Sequence, residues 1–243
     1  MDQQSQRNTW FLTTCWDDLD AIKQGGEGTQ DAFDRFCRTY WMPVYSFLRK
    51  SGQSPEEAAD LTQGFFERMI QRDDLKSFQR GTGMFRSWLL VCLRRFAADN
   101  WRTSTAAQRR PGGGFLSLDS TEAESSYLLE LIEAETPDRV FDRRWALNFF
   151  NEVLEQIGEE CRVEGEELVF QHFVAHLAGT QNAVPHHVAA ANLGKTVGTL
   201  KNNLTALRKR LAAMALGRLT LTLGSRTAAE LELKYLVEVA SGL

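Results

Sequence analysis

The chain has 243 residues, 43% of them hydrophobic and 25% charged, with a formal net charge of −4. That balance is that of an ordinary globular protein, long enough for one large domain or two small ones. No apolar run approaches the roughly 20 residues that span a bilayer. Cys15, Cys37, Cys92 and Cys161 are scattered without a C-x-x-C pair and read as reduced thiols rather than as a disulfide framework or a zinc cluster. The N-terminus, MDQQSQRNTW, lacks the apolar stretch of a signal peptide. A cytoplasmic protein with reduced thiols, needing no membrane, is expected. Proline is scarce and strand-like alternation hard to find, so the expected class is all-α.

Trp10, Phe11, Trp16, Leu19 and Ile22 predict a short amphipathic helix over 9–24, before the GGEG of 25–28. Residues 29–51 read as a second helix, with Phe33, Phe36, Tyr40, Val44, Phe47 and Leu48 on one stripe. Pro43 should kink or split it, because proline removes an amide donor and crowds the preceding turn. Ser54-Pro55-Glu56-Glu57 is a helix start with an N-cap serine, proline at N1 and an acid at N3. Along the helix that follows, Leu61, Phe65, Arg68 and Met69 share one face, and Asp60, Gln63, Glu67 and Gln71 another.

A polar loop, 76–83, leads to residues 84–110, MFRSWLLVCLRRFAADNWRTSTAAQRR. Phe85, Trp88 or Leu89, Cys92, Phe96 and Asp99 recur at helical steps, interleaved with Arg86, Arg94, Arg95, Arg102, Arg109 and Arg110. Aromatics could take stacked bases at about 1–3 kcal/mol each while arginines neutralise phosphates. Composition alone fits a packed core helix equally well.

RRPGGG at 109–114 ends that pattern and opens an acidic connector, with a short helix expected at 127–134. From Asp119 to Asp138 there are seven acids and no Lys or Arg. A connection this long marks a domain boundary. Helices are then expected at 138–160, 166–178, 186–193 and 196–215, with an amphipathic tail helix over 227–240 carrying Leu231, Leu233, Tyr235, Leu236 and Val239. From Leu168 to Ala229 there are no acids, against Lys195, Lys201, Arg208, Lys209, Arg210, Arg218 and Arg226. Two basic surfaces flanking an acidic connector follow from that segregation.

A short helix, a turn at Gly194 and a basic helix capped by Thr196 make a helix-turn-helix pattern. Thr196, Thr199, Lys201, Asn202 and Asn203 would reach base edges or phosphates in the major groove, with Arg208, Lys209 and Arg210 nearer the phosphate backbone. His172 and His176 have the spacing of a two-histidine metal site, but no carboxylate or cysteine motif completes it. Phe173 and Leu177 beside them point to a packed helix, and His186 and His187 to a helix start. Neither a metal nor a cofactor is expected. No nucleophile elbow, phosphate loop or dinucleotide fingerprint is present, so an enzyme is not expected.

Three segments, SPEEAADLTQGFFERMI (54–70), FRSWLLVCLRRFAADNWR (85–102) and LGKTVGTLKNNLTALRKRL (193–211), in that order and spacing, resemble the extracytoplasmic-function (ECF) sigma factors of bacterial RNA polymerase. The resemblance covers about 30–215, and Thr9-Trp10 with the tail look like a subgroup bearing a C-terminal extension. It implies four segments. Residues 1–110 would bind core polymerase and the −10 element, 111–137 would be a linker, 138–217 a helix-turn-helix domain for the −35 element, and 218–243 the extension. Asp60, Leu61, Gln63, Phe66 and Glu67 match the family segment that docks on the polymerase β′ clamp helices. The loop 76–84, which would catch an extruded base, and Trp88, Arg94, Arg95, Asp99 and Arg102 match the part that melts and reads the −10 element. The helix 196–211 matches the −35 reader. The β flap would be met near Trp145, and an anti-sigma or other regulatory protein is a possible further partner.

The chain departs from the family pattern at three places. Arg95 stands where the family usually has asparagine, which predicts altered base preference. Thr205-Ala206 replaces a frequent His-Arg pair, and HHVAAANLG lacks the usual tyrosine and acid. Two other readings stay open: a helix-turn-helix regulator acting without polymerase, and a sigma-like interaction protein that has lost DNA binding.

Overall fold

The structure is a computed structural model that describes residues 16–26, 28–72, 74–79, 83–104, 120–129, 135–177 and 184–241. Every regular element among them is helical. In order they are α1 (Trp16–Gln24), α2 (Thr29–Lys50), α3 (Pro55–Gln71), a 3-10 turn (Asp74–Ser77) and α4 (Phe85–Ser104). Then follow α5 (Ser120–Leu129), α6 (Pro137–Val163), α7 (Glu167–Leu177), α8 (His186–Asn192), α9 (Val197–Leu223) and α10 (Arg226–Ala240). No helix of the described residues is long and apolar enough to cross a membrane. Expectations on 9–15, on 105–119 and on the second part of the 127–134 helix lie outside the described residues. The connector does hold a helix, α5, which begins earlier than expected.

Two compact units divide the chain. The first comprises the described residues of 11–148 with those of 220–243, and the second comprises Phe149–Leu219. The changeovers fall inside α6 and α9.

The first unit is built on aromatic packing between α2, α3 and α4. Phe36, Tyr40, Phe65, Phe66, Phe85 and Phe96 are all buried. Their rings meet at 4.8–6.0 Å, mostly edge to face, the favoured geometry for quadrupolar rings. Helix α3 starts as its sequence predicts. Glu57 N donates to Ser54 Oγ at 3.2 Å, and Ser54 N donates to the Glu57 carboxylate at 3.1 Å, a complete capping box.

Pro43 does not split α2. Its ring removes the donor to the carbonyl four residues back, that of Thr39. Asn148 Nδ2 of α6 supplies a replacement at 3.0 Å. The acceptor that proline would orphan is thus satisfied from another helix. The connector helix is held on α2 as well: Glu124 accepts from Arg49 at 2.6 and 2.7 Å and from the Tyr45 hydroxyl at 2.7 Å. Arg49 lies over the Tyr127 ring at 5.2 Å.

Helix α10 also belongs to this unit, burying Ala229, Glu232, Leu236 and Val239. Its anchor is ionic. Arg86 of α4 is 5% exposed and meets Asp142 of α6 and Glu232 of α10, the latter at 3.1 Å. Tyr235 donates its hydroxyl to Asp142, and the guanidinium lies over the rings of Tyr235 and Trp145 at 5.0 and 5.8 Å. Burial holds the Glu232 carboxyl above its usual range against the pull of Arg86. Two expectations are corrected here. Arg86 is a core ion-pair partner and no part of a DNA surface, and Trp145, 6% exposed beneath it, is not open to a flap.

The second unit packs Phe149, Val153, Ile157, Val169, Phe173, Leu200, Leu204 and Leu219 into a core. Helix α8 ends in a Schellman motif. Gly194, at φ 62, donates to Ala191 O at 3.2 Å, and Lys195 N donates to Ala190 O at 2.9 Å. Thr196 Oγ1 then accepts from Thr199 N at 3.0 Å, capping α9 as expected.

Candidate nucleic-acid interface

Helix α4 turns Phe85, Leu89, Leu93 and Phe96 inward, with Leu90 beside them. Of the two residues that periodicity could not separate, Leu89 is buried and Trp88 only half-buried, as is Cys92, which periodicity placed on the stripe. The Trp88 ring lies 5.3 Å from Phe85 and 5.4 Å from Phe78. Burial raises the Cys92 thiol, with Asp74 adding to the effect, so it is not an activated thiolate.

The outer side of α4 joins α3 around a cavity of about 230 Å³ lined by Arg68, Arg72, Trp88, Arg95, Phe96 and Asp74, among others. Arg68 lies over the Phe96 ring at 5.6 Å and donates to Asp99 at 3.1 Å. Arg95 is exposed. The cavity thus offers guanidinium groups and an indole edge to one ligand, the mixture that takes a base and its phosphate. Arg68 and Arg72 were missing from the sequence-based set. Arg68 sits on the apolar face of α3, and that misplacement of a charge was the available signal.

The other predicted −10 residues separate. Arg94 forks onto Asp138 of α6 at 2.8 and 2.5 Å, both side chains about half-exposed. Asp99 is engaged by Arg68. The side chain of Arg102 and residues 80–82 of the loop lie outside the described residues.

On α3, Asp60 is exposed and Leu61, Gln63 and Glu67 are half-buried, with Gln63 Nε2 donating to Glu67 Oε1 at 3.1 Å. Phe66 differs. It is 3% exposed, stacked on Trp41 at 6.2 Å and edge-on to Phe36 at 6.0 Å. Its ring is core, so a substitution there reports on folding rather than on docking.

In the second unit, Thr196, Thr199, Lys201, Asn202 and Arg208 are exposed together, and Asn203 is half-buried. Lys209 is exposed too. Arg210 is taken by Glu160 at 2.6 Å and Glu164 at 2.9 Å, and does not lie free toward a phosphate. Lys195 and Arg218 likewise meet Glu166 at 2.9 Å and Glu152 at 3.7 Å. Part of the basic run is therefore structural, answering acids of α6 and the α6–α7 turn.

The decisive comparison concerns the first unit. Residues 37–107 match sigma-70 region 2. The match spans most of α2, all of α3 and all of α4, so both the acidic face and the basic cavity fall inside it. It supports a sigma-70 family sigma factor through that one region, which covers less than half of the chain. Comparison with curated proteins and with solved structures gives no match.

One cluster has no place in that picture. His172 and His176 of α7 meet His186 of α8, with ring centroids 4.2, 4.5 and 5.2 Å apart. Burial lowers the pKa of both His172 and His186, and His176 lowers each further. The sequence paired two of these residues and assigned the third to a helix start. Folding brings all three together.

Proposed function

We propose that this chain is an ECF-type sigma factor that directs core RNA polymerase to a set of promoters. The observation that carries the reading is the region 2 match, with its two faces differing in chemistry. Asp60, Leu61, Gln63 and Glu67 give α3 an acidic, amide-bearing face suited to the β′ clamp helices. Arg95, Arg68, Arg72 and Trp88 surround the cavity that would hold an unstacked base of the −10 element. The sequence resemblance assigns Arg94, Asp99 and Arg102 to the same element, and Arg94 would have to leave Asp138 to reach it.

By role, the segments remain 1–110, 111–137, 138–217 and 218–243, although the compact units divide within α6 and α9. Helix α9 would enter the major groove at the −35 element through Thr196, Thr199, Lys201, Asn202, Asn203 and Arg208. The transcription machinery places such a protein in the cytoplasm, where an anti-sigma or other regulatory protein would hold it in check.

Run-off transcription with core polymerase and a randomised promoter library tests this directly. The expected result is enrichment of one promoter class, lost with Arg95→Ala while core polymerase is still retained. Glu67→Lys is expected to abolish polymerase retention. Sequence-specific binding to duplex DNA without any retention of core enzyme would show a free-standing regulator instead. Retention without DNA binding at low salt would show a sigma-like interaction protein.

A further inference from the structure

We propose that His172, His176 and His186 form a binding site for a divalent transition-metal ion of the zinc type, joining α7 to α8. The first two residues stand one helical turn apart on α7, so their rings share a face. The third opens α8. One ring nitrogen from each residue lies within 4.8 Å of the others. Two of these nitrogens, His172 Nε2 and His186 Nδ1, are already 2.9 Å apart.

The hydrogen bonds orient the rings for ligation. His176 Nδ1 lies 2.9 Å from the carbonyl of His172. A carbonyl only accepts, so this Nδ1 carries the proton and leaves the lone pair on Nε2. A backbone carbonyl fixing the tautomer of a ligating imidazole is the usual outer-shell arrangement at metal sites. Between His172 and His186, one nitrogen donates and the other accepts. Metal binding replaces that shared proton, which moves through solvent to the other nitrogen of the donating ring, so both rings stay neutral and no net charge is lost.

The distances require only side-chain motion. Zinc–nitrogen bonds of about 2.0–2.1 Å at tetrahedral angles place ligand nitrogens about 3.3 Å from each other. The closest pair opens by a few tenths of an ångström and the widest closes. Three imidazoles without a thiolate suit zinc, copper or nickel over magnesium or calcium. His172 is buried and the other two are half-buried, so the ion has a protein side and a solvent side for a water ligand. The site does not depend on the promoter-recognition reading.

The experiment uses the full-length untagged chain, stripped with chelator and titrated with Zn²⁺ by calorimetry and with Co²⁺ by visible absorption. One zinc per chain, a tetrahedral cobalt spectrum and a higher thermal midpoint with zinc are expected. His176→Gln and His186→Gln are each expected to weaken zinc binding at least about tenfold, the loss that even outer-shell changes produce. His187→Gln, adjacent but exposed, should bind as the parent does. Far-UV circular dichroism matching the parent shows that the variants have folded, and the parent titration stands whether or not they do. Absence of stoichiometric uptake by the parent overturns the proposal. Unchanged binding by folded His176→Gln and His186→Gln, or loss with His187→Gln, overturns this ligand set.

Discussion

Asn148 shows how far a single side chain can reach into the local rules of a helix. Its amide answers the Thr39 carbonyl that Pro43 leaves without a donor. Asn148→Ala is expected to cost about 1 kcal/mol, the net worth of such a bond with some desolvation left uncompensated, read as a lower urea midpoint. Pro43→Ala should soften that loss, because the alanine amide restores the intrahelical donor. Glu152 is a second case. Burial pushes its carboxyl from 4.5 up to about 7, although Arg218 pulls the other way. The folded state then holds a proton that the unfolded chain has released. Stability is full below about 4.5, falls as pH rises, and has lost this contribution above about 7. Glu152→Gln should flatten that slope in a denaturation series across pH.

At the scale of elements, the tail is decided by one buried guanidinium. Arg86 contacts Asp142 and Glu232 on two other helices. Removing it leaves two acids buried without their cation, which typically costs about 3–5 kcal/mol. Arg86→Ala is therefore expected to destabilise the first unit strongly and to raise proteolysis within α10. Cleavage confined elsewhere would show that the ion pair does not anchor the tail. The apolar stripe of 227–240 announced that something covers it. It could not say what, because the partner acid and base are 146 residues apart.

At the scale of the whole molecule, the charge segregation read from the sequence is real but only partly available to a ligand. Arg86, Arg94, Arg210 and Arg218 are committed to carboxylates, while Arg95, Lys201, Arg208 and Lys209 are exposed. Promoter binding by the proposed sigma factor should fall steeply with salt as counterions are released. Arg208→Ala should lower the slope of log K against log salt by about 1 and weaken all sequences alike. Arg210→Ala should leave that slope unchanged and lower stability instead.

Local signals sufficed where the deciding partners are neighbours in the chain. The Ser54–Glu57 capping box, the Gly194 stop and the Thr196 cap act within five residues, and each stands as predicted. The helical class follows from such signals, since every backbone bond of a helix closes locally. Long-range contacts decided the rest. Periodicity could not choose between Trp88 and Leu89, because their positions differ by one step and only the opposing Phe36 and Tyr40 define the buried side. It could not separate paired arginines from open ones, nor bring His186 to His172 and His176. Those outcomes depend on which helices meet, and a carboxylate or a third imidazole arriving from elsewhere leaves no trace in the spacing of the residue it meets.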